Sequence, residues 1–378
     1  MKLGIALEGG GAKGAFHIGV VQACMECGLW PPAAIAGTSI GAINGAMLAQ
    51  GDYNRARNLW LTISGSDLFD ADNEKLIYAD LTDLDSLTEV WASLKDFITD
   101  RGIDTTQLRG LIDLYIDPDR LMNSPIDYGM VTLSLPDFEP VEIFKREMGR
   151  ENIPTYILAS AALPGFQKVS MGKKFFLDGG LYDNCPVNML LEKGCDMVIA
   201  VRTHAAGVIR YDEKDARVVT VSPSEDLGSI LRFSPEQARH NIELGYHDGL
   251  RVLRRLGGRH YYLTNVDHGL GHKFWNISEE TVITIAKSLH LSTRLEPRRL
   301  LFERVLSLLF DMLDLDKNAG YDDLILAMIE HRAKRCGIQR LQCYTATELL
   351  ELAMNGTPTG RARALDKIVD LLLCELTR

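Results

Sequence analysis

The chain has 378 residues, of which 46% are hydrophobic, and a formal net charge of −10 at pH 7. A chain of this size can bury a large core, and it has room for one large domain and a smaller one. The acidic balance argues against a nucleic-acid-binding protein and against general adhesion to anionic lipid, so we expect any membrane contact to be peripheral, local and mostly apolar.

The cysteines and the apolar segments indicate the compartment. The seven cysteines are scattered and odd in number, which does not suggest a disulfide framework. Glu8 and several glycines interrupt the apolar start before a signal peptide can form, and no apolar run reaches the ~18 residues of a membrane-spanning helix. We therefore expect a cytoplasmic protein with reduced thiols, with secretion by a signal-independent route as the alternative.

The first predicted element is a buried strand over residues 3–7, which runs into a glycine loop and then a helix over residues 15–27. Free backbone N–H groups at such a loop, at the positive end of the helix dipole, are suited to bind an anion. A dinucleotide site would need an acidic residue at the end of the second strand, and a P-loop would need Gly-Lys-Ser/Thr. Neither is present, so we interpret the loop as an oxyanion hole formed by the N–H groups of Gly9, Gly10 and Gly11. Lys13 is either an anion ligand or a structural residue.

The second apolar run, residues 33–37, ends in Gly37-Thr38-Ser39-Ile40-Gly41 and continues as a helix. A serine on such a strand-to-helix turn is strained and exposes its hydroxyl, which makes Ser39 the candidate nucleophile; the alternative is a simple helix cap. Adjacent parallel strands would bring this turn and the glycine loop to the same edge of a sheet. Only one strand precedes the turn, which excludes the α/β-hydrolase fold.

The middle of the chain predicts elements that cover the sheet. A helix from Ala42 should run, with a break near Gly51, to about Leu61. Residues 65–104 are strongly acidic, and we interpret them as solvated helices, or as a flap across the site; their carboxylates lack the spacing of metal ligands. Residues 129–135 and 141–144 predict a hairpin, and a helix from Pro154 to Ala162 contains Ser160, which we assign to packing.

A third strand-end motif follows at Asp178-Gly179-Gly180. Its sequence is also that of a common turn, but after two other strand-end motifs it makes Asp178 the candidate base. His204, which follows a predicted strand over residues 196–202, is the competing base in a triad, or else an ordinary surface residue.

Taken together, Gly9-Gly10-Gly11-x-Lys13-Gly14, Gly37-x-Ser39-x-Gly41 and Asp178-Gly179-Gly180 resemble the motifs of the patatin-like phospholipases, in the same order and over residues 1 to about 265. The resemblance implies an α/β fold with a mostly parallel sheet flanked by helices, and a Ser–Asp dyad that hydrolyses lipid acyl esters without calcium. It implies that Ser39 is the nucleophile, Asp178 the base and Gly9 to Gly11 the oxyanion hole. The supporting motif positions are Gly14, Gly37, Gly41, Gly179 and Gly180, the last of which is alanine in many relatives.

From about residue 291 the pattern is helical, so we predict a hydrolase domain over 1–290 and an all-helical extension over 291–378. Residues 300–315 form a broad apolar face, suited to packing within the domain, to a lipid interface or to a partner. Asp314-x-Asp316-x-Asn318 begins like a calcium loop, but Ala319 replaces the required glycine, so we reject a calcium site.

These observations predict a serine acyl hydrolase of the phospholipase A or lysophospholipase type, with a lipid or lysolipid as substrate and no metal or cofactor. Two alternatives stay open. A non-catalytic lipid-binding or scaffold protein would retain the pocket without reacting, and a dinucleotide-binding oxidoreductase would bind NAD.

Overall fold

The structure, a computed structural model, describes residues 1–68, 103–265 and 269–377. It divides into two compact units, Met1–Arg254 and Arg255–Arg378. This division lies earlier than the predicted domain boundary after residue 290. The reason is that Tyr261, Leu263 and Phe274 pack in the core of the second unit.

The first unit is built on an eight-stranded sheet with the order β5-β6-β3-β2-β1-β7-β8, in which β4 pairs with β3. Strands β1, β2, β3, β7 and β8 pair in parallel, whereas β4, β5 and β6 join by antiparallel pairing. The prediction of a mostly parallel sheet is confirmed, as is the parallel pairing of the first two strands. The strands are β1 Leu3–Leu7, β2 Ala34–Thr38, β3 Asp127–Leu135, β4 Glu139–Phe144, β5 Val169–Met171, β6 Lys174–Asp178, β7 Met197–Val201 and β8 Val218–Val221.

Helices cover both faces of this sheet, because the side chains of a strand alternate between its two faces. Ala6 and Ala36 pack on the helix Val187–Glu192 on one side. On the other, the hydroxyl of Tyr128 donates to the Ala42 carbonyl oxygen, 2.9 Å away in the helix Ile40–Ala49. The described part of this unit also contains the α-helices Ala15–Glu26, Tyr53–Thr62, Thr106–Tyr115, Pro118–Asn123, Lys145–Met148, Ile153–Ser160 and Pro235–Leu253, with short 3-10 turns at Gly11–Gly14, Gly65–Asp67, Arg150–Asn152 and Gly179–Leu181.

Strand β3 brings β2 and β6 together along one of its edges. Strand β2 pairs with residues 127–131 of β3, and β6 pairs with residues 132–135. Strand β4 pairs with residues 129–134 of β3. This range overlaps the ranges that pair with β2 and with β6, so β4 occupies the opposite edge of β3. Because β2 runs parallel to β3 and β6 runs antiparallel to it, the carboxyl ends of β2 and β6 meet at Val131 and Thr132.

Several predicted elements are confirmed, with small shifts at their ends. The hairpin is present as β3 and β4. The helix from Ala42 is present as Ile40–Ala49 and Tyr53–Thr62, separated at Gly51. Most of the acidic stretch 65–104, including the predicted flap, lies outside the described residues.

The second unit is mostly helical and has its own apolar core. It also contains two short parallel strands, β9 Tyr262–Thr264 and β10 Cys343–Thr345. Residues 291–378 are helical as predicted, apart from the three residues of β10. The helices are Leu270–Asn276 (3-10), Glu279–Ser288, Pro297–Leu300, Leu301–Val305 (a π-helical turn), Leu306–Met312, Tyr321–Arg335, Ala346–Asn355 and Ala364–Leu376.

The apolar face of residues 300–315 packs within this unit. Leu300, Val305 and Leu309 are among its buried core residues. Of the interpretations of this segment, packing within its own domain is therefore the one that the structure shows. Among the described residues, no helix is both long and apolar enough to cross a membrane.

Candidate active site

Ser39 occupies a strained turn between β2 and the helix Ile40–Ala49. Its backbone angles are φ 56° and ψ −123°, a conformation that residues with a side chain rarely adopt. The turn is tight because the helix approaches β1 closely: a Cβ at Gly41 would lie 2.2 Å from the Leu7 carbonyl oxygen. The predicted strand, turn and helix are all present, and Ser39 itself is buried.

Ser160 holds this turn in place. The N–H of Ser39 donates to Ser160 Oγ at 3.0 Å, and the Ser160 hydroxyl donates to the Val131 carbonyl oxygen at 2.6 Å. Sequence reasoning assigned Ser160 only to packing. The single signal in the sequence was a small polar residue in the last turn of an otherwise apolar helix, which does not identify a partner 121 positions away.

Asp178 ends β6 opposite Thr132 and is only 2% exposed. Its Oδ1 accepts a hydrogen bond from the N–H of Gly180 at 2.8 Å. Its Oδ2 is buried and has no hydrogen-bond partner within the described parts of the chain. Burial raises the pKa of Asp178 to about 6, while the Ser39 hydroxyl and the Gly180 N–H act to lower it. A buried carboxyl with a free oxygen beside a serine hydroxyl is suited to accept a proton.

The glycine loop lies against Ser39, since a Cβ at Gly9 would be 3.3 Å from the Cβ of Ser39. The predicted set of three donors needs one correction. The N–H of Gly9 donates to the Asn184 carbonyl oxygen at 3.0 Å, so it is not free to bind an anion. Across the described residues, no hydrogen bond uses the N–H of Gly10 or Gly11.

The supporting glycines lie close to neighbouring atoms. A Cβ at Gly37, Gly41 or Gly179 would lie 2.2 Å from a backbone oxygen, so a side chain there would displace the motif. A Cβ at Gly14 or Gly180 would instead meet a side-chain atom, 2.7 Å away on Ile40 or 2.9 Å away on Asn184, which leaves room for a small residue at Gly180.

Two cavities meet at Ser39. One is lined by residues of all three motifs, namely Gly10, Gly11, Ser39 and Asp178, together with Asn184 and Leu163. The other is almost entirely apolar and extends from Ser39 past Ile43, Leu108, Phe166 and Phe233. A further apolar cavity shares Ile43, Leu108 and Phe233 and continues the space to Trp60 and Tyr115. The geometry therefore joins a polar corner to a long apolar space.

The other candidates are placed differently. Lys13 is buried, and its side chain forms no ion pair within the described ranges. His204 is exposed and does not line the cavity that contains Ser39 and Asp178. No group of three or more His, Cys, Asp or Glu suited to hold a metal ion occurs in residues 1–68, 103–265 and 269–377.

Comparisons with known proteins find relatives of part of this chain. A family model described as "Patatin-like phospholipase" matches residues 5–191. The chain is 30% identical over 206 residues to "Lysophospholipase NTE1" of Saccharomyces cerevisiae, covering 54% of this chain and 11% of that protein. It is 26% identical to "Uncharacterized protein YjjU" of Escherichia coli, covering 53% of this chain and 52% of that protein.

Among solved structures, VipD from Legionella pneumophila aligns over 94% of this chain and 79% of its own. The TM-score is 0.43, and the sequence identity is 14%. The chain spans about half of the length of the Escherichia coli relative and 11% of the length of the yeast relative.

Proposed function

Because residues 5–191 of this chain are a patatin-like phospholipase domain, we propose that the protein is a serine acyl hydrolase. Its substrates are phospholipids or lysophospholipids, from which it releases a fatty acid. The observation that carries the proposal is the cavity where Ser39, Asp178 and the glycine loop meet. The name of the yeast relative, lysophospholipase NTE1, supports the lipid class.

In the proposed reaction, Asp178 accepts the proton of the Ser39 hydroxyl as Ser39 Oγ attacks the ester carbonyl carbon. The N–H groups of Gly10 and Gly11 stabilise the negative oxygen of the tetrahedral intermediate. Asp178 then gives its proton to the leaving alcohol, and an acyl-enzyme on Ser39 remains. Water, deprotonated by Asp178, attacks the acyl-enzyme, and the fatty acid leaves as Ser39 recovers its proton.

The apolar cavity supports an acyl chain as the group bound next to Ser39. Its lining changes from Ser39 at one end to Ile43, Leu108 and Phe233, and Asp104 is the one charged side chain among the described residues that line it. Burial of each CH₂ of an acyl chain in such a space contributes about 0.8 kcal/mol, so the chain can supply much of the binding free energy.

We also propose a cytoplasmic protein that contacts membranes peripherally. All seven cysteines are free thiols, which supports a reducing compartment. Two exposed aromatic side chains lie farther along β3 than the residues next to the site. Phe138 is 68% exposed in the turn between β3 and β4, and Phe175 of β6 is 43% exposed and pairs with Leu135. They support a small apolar contact with a lipid surface near the site.

A fluorophosphonate probe tests the proposed hydrolase, because it reacts only with an activated serine. We expect labelling at Ser39 that is lost in Ser39→Ala and retained in Ser134→Ala, whose hydroxyl is buried without a partner among the described residues. Release of fatty acid from a panel of phospholipids and lysophospholipids, measured by mass spectrometry, then identifies the substrate. Absence of both labelling and ester hydrolysis in the folded wild-type protein would instead indicate a non-catalytic lipid-binding protein.

A further inference from the structure

We propose that Thr203 is a positioning residue of the reaction, which orients the backbone N–H of Gly10 toward the oxyanion, and that buried Glu8 holds Thr203 in place. Both residues lie just beyond neighbouring strands, since Leu7 of β1 pairs with Val201 of β7. The inference rests on the proposed hydrolase function, and its test separates the two.

Glu8 is a fully buried carboxylate that binds the segment after β7. Its Oε2 accepts hydrogen bonds from Arg202 Nε at 3.0 Å, from the N–H of Thr203, and from the N–H of His204 at 3.2 Å. Two backbone donors and a guanidinium on one oxygen fix this segment firmly, because hydrogen bonds to a charged acceptor are about twice as strong as neutral ones. Glu8 therefore determines where the Thr203 side chain lies.

The hydroxyl of Thr203 donates to the carbonyl oxygen of Gly9 at 2.5 Å, and both groups are buried. This carbonyl and the N–H of Gly10 belong to one peptide group, which is planar and trans, so they point in opposite directions. Fixing the carbonyl of Gly9 toward Thr203 thus fixes the N–H of Gly10 away from it. Gly10 lines the cavity with Ser39 and Asp178, and its N–H has no partner among the described residues.

The next peptide group is held in the same way. The N–H of Lys13 donates to the carbonyl oxygen of Gly10 at 3.1 Å, which directs the N–H of Gly11 to the opposite side. The N–H of Ala12 donates to the Ile230 carbonyl oxygen at 2.8 Å and anchors the far end of the loop. The N–H of Gly11 is thus directed by a backbone hydrogen bond, whereas the N–H of Gly10 is directed by the Thr203 side chain. Only the second restraint can be removed by a substitution.

Gly10 needs such a restraint because it is a glycine. Gly10 has φ 137°, and a Cβ there would lie 2.7 Å from Thr203 Oγ1. A glycine samples many backbone conformations when nothing holds it, so its N–H would have no fixed direction. The Thr203 hydroxyl suppresses that freedom at the position where direction matters for the transition state.

The test is Thr203→Val, which replaces the hydroxyl by a methyl group of similar size. We expect kcat toward a soluble short-chain ester to fall about 10- to 100-fold with KM nearly unchanged, because oxyanion stabilisation acts in the transition state. Thr203→Ser keeps the hydroxyl and should retain most of the wild-type kcat. Ser134→Ala, which removes a buried hydroxyl on β3 that has no partner in the described chain, serves as the matched control and should keep wild-type kcat and KM.

Thermal unfolding of each variant shows whether it is folded, and Thr203→Ala carries the test if the valine variant is not. A folded Thr203→Val or Thr203→Ala with wild-type kcat overturns the inference, as does a loss of kcat in Thr203→Ser equal to that in Thr203→Val. In both cases wild-type hydrolysis that is abolished in Ser39→Ala leaves the proposed function standing. If wild type itself neither hydrolyses esters nor reacts with the fluorophosphonate, the proposed function fails and this inference fails with it.

Discussion

The carboxyl group of Asp178 is buried at the end of a strand that meets Ser39, and its burial raises its pKa to about 6. A general base must be ionised before it accepts a proton. We therefore expect kcat to rise as the pH increases through about 6 and to level off above it. The pH profile of hydrolysis of a soluble ester measures this, and a flat profile between pH 5 and pH 7, within about one unit of that pKa, would contradict the proposed base.

Substitution of the same residue provides the control for this assignment. The folded pKa of about 6 exceeds the ordinary 3.8, so the native state binds the proton more tightly than the unfolded chain does. The free energy of unfolding of wild type then decreases as the pH rises through this window. Asp178→Asn should be inactive, yet more stable than wild type by about 3 kcal/mol at pH 8, with the difference vanishing below about pH 3. Urea unfolding at both pH values measures it.

Ser160 is a second residue whose importance comes from hydrogen bonds rather than reactivity. Ser160→Ala leaves the N–H of Ser39 and the carbonyl of Val131 without this partner in a buried place. We expect a loss of about 1–3 kcal/mol in unfolding free energy and at least a ~10-fold loss of kcat, since the strained turn loses a restraint. Ser170→Ala, on the exposed side of β5, should change neither. Wild-type kcat in folded Ser160→Ala would show that the turn at Ser39 keeps its geometry without the Ser160 hydroxyl.

At the scale of residues, the sequence identifies side chains that stand out in a motif and misses those that act through the backbone of others. Ser39 and Asp178 end predicted strands and follow a pattern, and the structure brings them together. Thr203 and Ser160 bind backbone atoms far away in the sequence. The N–H of Gly9 is taken by Asn184, a pairing that depends on tertiary structure and leaves no mark in the motif.

The contact between the helix Ile40–Ala49 and the end of β1 depends on Gly41. A Cβ at this position would lie 2.2 Å from a backbone oxygen, which has nowhere to move without displacing the strand. We expect Gly41→Ala to lower the unfolding free energy by about 3 kcal/mol and to abolish hydrolysis.

Gly110 provides the matched control for that substitution. It lies exposed in the helix Thr106–Tyr115, and a Cβ there would meet nothing within 4 Å. Gly110→Ala should therefore raise the unfolding free energy by about 0.5–1 kcal/mol, because alanine restricts the unfolded chain and favours the helix. Equal effects of the two substitutions would mean that the close approach at Gly41 does not matter.

The same helix forms a wall of the apolar cavity, through Leu108. A larger side chain there should shorten the space for an acyl chain. We expect Leu108→Trp to reduce hydrolysis of a C16 ester at least ~10-fold relative to a C4 ester, since each excluded CH₂ forfeits about 0.8 kcal/mol of burial. Leu114→Trp, at an exposed position of this helix, should leave the ratio unchanged. An unaltered chain-length profile in Leu108→Trp would place the acyl chain elsewhere.

Elements with their own terminal signals are those that the sequence predicts well. The helix Pro235–Leu253 is capped by Ser234, whose side chain accepts a hydrogen bond from the N–H of Gln237; the sequence Ser234-Pro235-Glu236-Gln237 is typical of a helix start. The direction of β6 was not foreseen, because a short strand carries no signal for parallel or antiparallel pairing. Strand β10 was missed since its three residues lie between helices.

The two units have separate apolar cores, and each should therefore unfold with its own transition. Leu349 is fully buried in the core of the second unit. We expect Leu349→Ala to lower the midpoint temperature of one of two calorimetric transitions and to leave the other unchanged. The loss should correspond to about 2–5 kcal/mol in the unfolding free energy of the second unit. Leu352→Ala, on an exposed position of the same helix, should shift neither. One transition that moves as a whole would show that the units unfold together.

The end-to-end meeting of β2 and β6 along β3 is what brings the ends of these two strands, at Ser39 and Asp178, together. The two strands arrive from opposite directions, and more than half of the catalytic unit separates them in the chain. We therefore expect a nascent polypeptide to lack the proposed hydrolase activity at least until β6 has emerged and docked. For the same reason, esterase activity recovered during refolding reports completed topology, and it should lag behind the return of helical circular dichroism.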